Sequence, residues 1–199
     1  MIHKQLLIKE YVQLQHSARE IAEKLGCSEN KVHYWLEKHS IKKRTIRDAV
    51  YVRANPNGNP FSYSEPASKQ DWFLFGLGLG LYWGEGNKAN THAVRLGNSD
   101  PDLINMFLKF LTEIYNIDKT RLRFGLQIFS DCSAREAQKY WCQKLSVDQS
   151  QFHKKLIVTK SIKKGTYHKK SRYGVLTVYF SNIKLRDIIV TAIDSLRKT

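Results

Sequence analysis

The sequence predicts an α+β chain: a small all-α unit in front, then a larger mixed unit whose sheet is mostly antiparallel. Three observations carry that reading. Apolar residues over 3–46 fall at helical spacing only. Residues 44–70 lose all periodicity. From Asp71 onward, helical stretches interleave with short alternating ones. The expected division is 1–48, a linker over 49–70, and a second domain over 71–199.

Lys4 to Leu14 carries Leu6, Leu7, Tyr11 and Leu14 at helical spacing. Ser17 followed by Glu20 is a capping box, so a second helix begins at Ala18, and Gly26 ends it. Ser28 caps a third helix to about His39, with Val32, Trp35 and Leu36 on one face. The stretch RANPNGNPFSYSEPASKQ holds three of the four prolines and reads as a linker or loosely packed arm. Trp72 to Gly84 is a helix candidate, with Trp72, Phe75, Leu79 and Tyr82 expected on the sheet. His92 to Asn98 reads as a strand. Pro101 opens an amphipathic helix with Ile104, Phe107, Leu108 and Leu111 on one face. Arg121 to Phe129 alternates: Leu122, Phe124, Leu126 and Ile128 face one way, and Arg121, Arg123 and Gln127 the other. A helix over Ser133–Leu145, strands over Lys155–Lys160 and Tyr173–Phe180, and a helix over Ile183–Leu196 complete the chain.

The 199 residues carry a net charge of +15 and 42% hydrophobic residues. A packed core is feasible, and the charge points to a polyanionic partner, nucleic acid ahead of membrane. The longest apolar run, Trp72 to Gly84, is too short to span a bilayer. The first residues lack the features of a signal peptide. Cys27, Cys132 and Cys142 are odd in number and show no metal spacing, which fits a reducing compartment. The expectation is a cytoplasmic or nucleoid-associated protein with no membrane partner and no small-molecule cofactor. His92, His153 and His168 read as surface or strand-end residues.

Ala22, Gly26 and Val32 stand where two helices joined by a tight turn need a small residue, a glycine and an apolar contact. This stretch resembles the helix-turn-helix of transcription factors and recombinases. That resemblance implies a major-groove reader at the start of the third helix, with Ser28, Glu29, Asn30, Lys31, His33 and Tyr34 outward. Asn30 suits adenine, Glu29 cytosine and Lys31 a phosphate. Lys42, Lys43, Arg44 and Arg47 form a phosphate-neutralising cluster just beyond. The alternative is a three-helix bundle for protein contacts.

Gly76, Gly80 and Gly84 repeat every four residues along one helical stripe. Each costs about 1 kcal/mol against alanine in a helix interior. Close approach of a second helix would offset that. Glu85 follows the stripe. If the partner is the same helix of a second chain, two Glu85 carboxylates meet near the axis, a position suited to divalent cations. The stretch LGLYWGEG, Leu79 to Gly86, resembles the motif of the LAGLIDADG homing endonucleases. Gly80 and Leu81 stand at the third and fourth motif positions, Gly84 at the small seventh, Glu85 at the catalytic acid and Gly86 at the end. Trp83 stands at the sixth, often acidic in that family. The resemblance implies a homodimer through Gly76, Gly80 and Gly84, a saddle-like sheet over DNA, and Mg²⁺ (or Mn²⁺) held by Glu85. The first hairpin after the motif is short, and Ser133–Leu145 is an extra helix.

Between Gln149 and Arg186 there is no Asp or Glu, while ten Lys and Arg fall there. Lys160, Lys163, Lys164, Lys169, Lys170 and Arg172 belong to a hairpin loop whose charges call for a polyanion. With Arg95, Arg121, Arg123 and Gln127 they make the expected DNA-contacting surface of the second domain. The leading expectation is an Mg²⁺-dependent, site-specific endonuclease on double-stranded DNA. The alternatives are a non-cleaving transcriptional regulator and an RNA-binding splicing helper.

Overall fold

The computed structural model describes residues 1–160 and 171–197. The chain divides into two compact units, Met1–Asn59 and Pro60–Thr199. The architecture is α+β: an N-terminal helical region, then a region of helices around a four-stranded mixed sheet. Among the described residues no helix is long and apolar enough to cross a membrane.

In the first unit, α1 (Lys4–Leu7) continues as a π-helical turn over Ile8–Gln13. Helix α2 (Ala18–Lys24) begins at the expected capping box of Ser17 and Glu20. Gly26 turns the chain with φ +60°, and Ser28 caps α3 (Glu29–Lys38) through the Lys31 amide. Ala22 and Val32 are buried together with Ile2, Leu7, Tyr11, Ile21 and Leu36. Glu10 is buried beneath this layer. It accepts from Lys24 at 2.5 Å and pairs with His16 at 2.8 Å. The Lys24 hydrogen bond, then that of His16, holds its carboxyl below the usual range.

The expected linker is not one. Helix α4 (Ile46–Ala54) forms within it, capped by Thr45 through the Asp48 amide. The Tyr51 hydroxyl donates to Asn59 at 3.0 Å. Residues 60–66 belong to the second unit. Phe61 is buried edge-on to Tyr115, and Ser62 and Ser64 donate to the carbonyls of Tyr115 and Ile114. Polar and proline-rich composition concealed two short attachments, one to each unit.

The first helix of the second unit is α5 (Lys69–Glu85), which starts three residues before Trp72 at a capping box of Ser68 and Asp71. Then come β1 (Val94–Asn98) and α6 (Pro101–Lys109), which runs on as a π-helical turn over Phe110–Ile114. They are followed by β2 (Arg123–Phe129), α7 (Ala134–Leu145), β3 (Ile157–Thr159), β4 (Val175–Phe180) and α8 (Ile183–Leu196). The sheet order is β1-β4-β2-β3. The pairings β1–β4 and β4–β2 are antiparallel, and β2–β3 is parallel, so the sheet is mixed. One strand, not a hairpin, follows α5.

Period-two alternation sorts the sheet into two faces. Val94, Leu96, Phe124, Leu126, Ile128, Leu176, Val178 and Phe180 are buried in the core with residues of α5, α6, α7 and α8. Arg95, Gly97, Arg123, Gly125, Gln127, Thr177 and Tyr179 lie on the other face. Helix α5 packs on α6 and its extension, on α8 and on β1. Leu74, Gly78, Leu79 and Tyr82 make its buried side. Trp72, expected there, is 55% exposed.

Candidate nucleic-acid interface and the Glu85 turn

The glycines of α5 serve two geometries. A Cβ at Gly78 would overlap the Phe110 ring, so close approach inside the unit occurs here, off the expected stripe. At Gly76, Gly80 and Gly84 a Cβ would meet nothing within 4 Å. These three lie exposed on one helix face with Trp72, Phe73 and Trp83. The Arg197 guanidinium lies 5.2 Å over the Trp83 ring.

Glu85 closes α5 and is exposed. Among the described residues nothing hydrogen-bonds or ion-pairs its carboxylate. Lys88 is the nearest cation in sequence, but its ammonium donates to the Trp83 carbonyl at the helix end instead. Beyond Glu85 the chain bridges to β1 at Gly86 and Leu96, and the Asn87 amide donates to the Arg95 carbonyl at 2.9 Å. Arg186 of α8 donates to the Lys88 carbonyl at 2.9 Å. No set of three His, Cys, Asp or Glu that could hold a metal gathers among the described residues.

On the open sheet face, register places Arg95, Tyr179 and Arg123 in one cross-strand row. Arg95 lies 5.1 Å over the Tyr179 ring, and His153 meets that ring edge-on at 5.0 Å. The next row is Gly97, Thr177 and Gly125, with no room for a side chain at either glycine. A Cβ at Gly125 would press on Tyr179 at 2.9 Å, and one at Gly97 on the Thr177 hydroxyl at 2.9 Å. The Tyr179 and Thr177 side chains fill the space that the two glycines leave beside the row of Arg95, Tyr179 and Arg123. Arg123 is exposed and donates to the carbonyls of Thr120 and Leu122 through Nη1, with no partner for Nη2 among the described residues. Gln127 donates to Thr159 at 3.0 Å. Arg121 is not on this face: it lies in a 3₁₀ turn before β2, close to Asp118.

The acid-free basic loop is anchored at both ends beside β2. Ser130 N–H donates to the Thr159 carbonyl, and Lys160 follows, exposed. On the return, Arg172 lies 5.4 Å over Tyr173, which stacks on Tyr140 at 3.8 Å. The Trp141 indole donates to the Tyr173 carbonyl at 2.9 Å. Gly174 turns the chain with φ +70°, where a Cβ would overlap the Gln127 carbonyl. Lys163, Lys164, Lys169 and Lys170 lie outside the described residues.

In the first unit, Asn30, Lys31 and Tyr34 are exposed on α3, while Ser28 is occupied as its cap. Glu29 and His33 pair at 3.4 Å, so the expected base-reading acid already faces an imidazole. Lys42 is exposed. Lys43 pairs with Glu37 at 3.1 Å. Arg44 departs from its expected role. It donates to the carbonyls of Gln15 and His16, its amide donates to the Tyr11 hydroxyl, and its guanidinium lies 4.2 Å over the Tyr11 ring. These bonds staple the segment after α3 to the α1–α2 turn.

Sequence reading gave Tyr179 no role, took His153 as a surface or strand-end residue, and counted Arg186 only within the acid-free basic span. The alternation of residues 175–180 was visible, and it places Tyr179 opposite the buried residues. The contacts of Arg186 reach across 98 positions and leave no local signal. No protein-family model, curated protein or solved structure matches this chain.

Proposed function

We propose that this chain is a sequence-specific binder of double-stranded DNA that acts as a homodimer and cleaves DNA as a Mg²⁺-dependent, LAGLIDADG-like endonuclease. Helix α5 carries the reading. It is apolar almost all round, yet along one face a Cβ at each of three glycines would meet nothing within 4 Å among the described residues. Three such glycines cost about 3 kcal/mol against alanine, and no described residue approaches them closely enough to offset that. A twin helix laid along the stripe would offset it and cover Trp72, Phe73 and Trp83. Glu85 closes the same helix, and its carboxylate has no partner among the described residues.

Mg²⁺ typically takes one or two carboxylates, with waters and substrate phosphates completing its shell. One unpartnered Glu85 per protomer fits that donor set across a dimer, though not within one chain. The ion, when bound, supplies a more acidic water and charge stabilisation at the leaving oxygen. The chain's own part is to present Glu85, to bring two copies together and to hold the phosphates. Arg95, Arg123, Lys160 and Arg172 suit the last task. The sheet face would act as a saddle over the duplex, and α3 with its tight turn as the groove reader through Asn30, Lys31 and Tyr34, with Lys42 on a phosphate.

Incubation with a randomised plasmid library, with Mg²⁺ or Mn²⁺ and without, tests the reading. The parent should nick a subset of sites, and Glu85→Gln should bind those sites without nicking. One acid per chain favours a second reading, a non-cleaving regulator on the same surface. Binding by the parent with no nicking under either ion selects it.

A further inference from the structure

The bend after Glu85 is held from several sides. The Gly86 amide donates to the Tyr82 carbonyl at 2.9 Å, and the Asn87 amide to the Arg95 carbonyl at 2.9 Å. Lys88 reaches back to the Trp83 carbonyl. Gly86 has no room for a side chain, because a Cβ would overlap the Tyr82 carbonyl and ring. The carboxylate that this bend carries has no partner among the described residues. A fixed backbone under a free acid is the arrangement a functional group needs when its placement matters.

All but one of the restraints come from α5 and the adjoining edge of β1. The exception is Arg186, from α8. Its side chain is 15% exposed, its Nη2 donates to the Lys88 carbonyl at 2.9 Å, and its Nη1 lies 3.4 Å from Asp187. Its guanidinium lies beside the fully buried Tyr82 hydroxyl, which completes no hydrogen bond of good geometry, and its Nε is likewise buried and unpaired. Burying a guanidinium with one donor unsatisfied is costly for an ordinary packing residue. The planar fork explains its presence: one nitrogen grips the turn while another stays near Asp187 on its own helix.

We infer that Arg186 is a positioning residue for Glu85, fixing the Lys88 carbonyl and so the direction in which α5 delivers the carboxylate. The catalytic consequence rests on the nuclease reading; the hold on the turn does not. Arg186→Met keeps the packing stem and removes the donors, and Arg186→Lys keeps one donor. Two readouts are needed. In hydrogen exchange, Arg186→Met should lower protection of the Asn87 amide at least about tenfold while the Val178 amide, in the central strand β4, stays protected. In nicking at saturating DNA, the rate should fall about 10–100-fold, with the dissociation constant at fixed salt within about threefold, and Arg186→Lys should recover part of it. Unchanged Asn87 protection overturns the inference. So does a joint loss at Asn87 and Val178, which makes Arg186 a general stabiliser, or a matched loss of rate and affinity, which makes it a DNA contact. If the parent does not nick, the nuclease reading fails, and selective loss at Asn87 still supports Arg186 as the holder of the turn.

Discussion

Gly78 and Gly80 stand two residues apart on one helix and answer to different neighbours. The first faces Phe110, where the π-helical turn after α6 brings the ring onto the α5 backbone; at the second, a Cβ would meet nothing within 4 Å among the described residues. Gly78→Ala gains helix propensity of about 1 kcal/mol but forces a Cβ into the ring. Overpacking of that kind costs about 1–3 kcal/mol, occasionally more. The expected net result is a lower urea midpoint for Gly78→Ala, measured by circular dichroism, with the slope of the transition unchanged. The spacing of four singled out Gly76, Gly80 and Gly84, and their shared face is present. The role of Gly78 was not legible, because it depends on a ring 32 positions away. Glu85 was legible as a lone acid; that Lys88 turns away from it was not.

Elements were legible where capping and period agree, as in α2, α3, α6 and α8. Helix α4 was missed although Thr45 and Asp48 offer a cap, because its apolar residues Ile46 and Val50 stay exposed and only Tyr51 is buried. A helix with so little buried surface leaves no period to read. Just ahead of it, Lys42, Lys43 and Arg44 were read with Arg47 as a phosphate-neutralising cluster, since charge in sequence does not say where a donor points. Arg44 ties the end of the α3 segment to the α1–α2 turn, whereas Lys42 lies exposed with no partner among the described residues. Arg44→Ala should therefore destabilise the first unit by about 1–2 kcal/mol, as expected for charge-assisted hydrogen bonds. Lys42→Ala should leave stability within about 0.5 kcal/mol and reduce the salt slope of DNA binding by about one. Chemical denaturation of both variants, alongside binding titrations at several salt concentrations, separates structural cation from phosphate cation.

At the scale of the molecule, the +15 charge raises the expectation of a polyanionic partner, and the mixed sheet was not legible, because a three-residue parallel strand has no signature of its own. The homodimer is the claim on which the rest of the functional reading depends, and the open space over the stripe makes it testable without any DNA. A protein stabilised by self-association unfolds at a temperature that rises with its concentration. The parent should show that dependence and should sediment as a dimer. Gly80→Leu adds a branched side chain where the protomer has room for it. Within one chain it should cost nothing and gain up to about 1 kcal/mol of helix propensity. Against a twin helix at close range it must clash. The variant should therefore sediment as a monomer, unfold at a concentration-independent temperature and keep the circular dichroism of the parent. It should also lose nicking while each protomer still carries an intact Glu85. A Gly80→Leu protein that remains dimeric would place the interface elsewhere, and it would leave the two acids of the proposed site with no reason to meet.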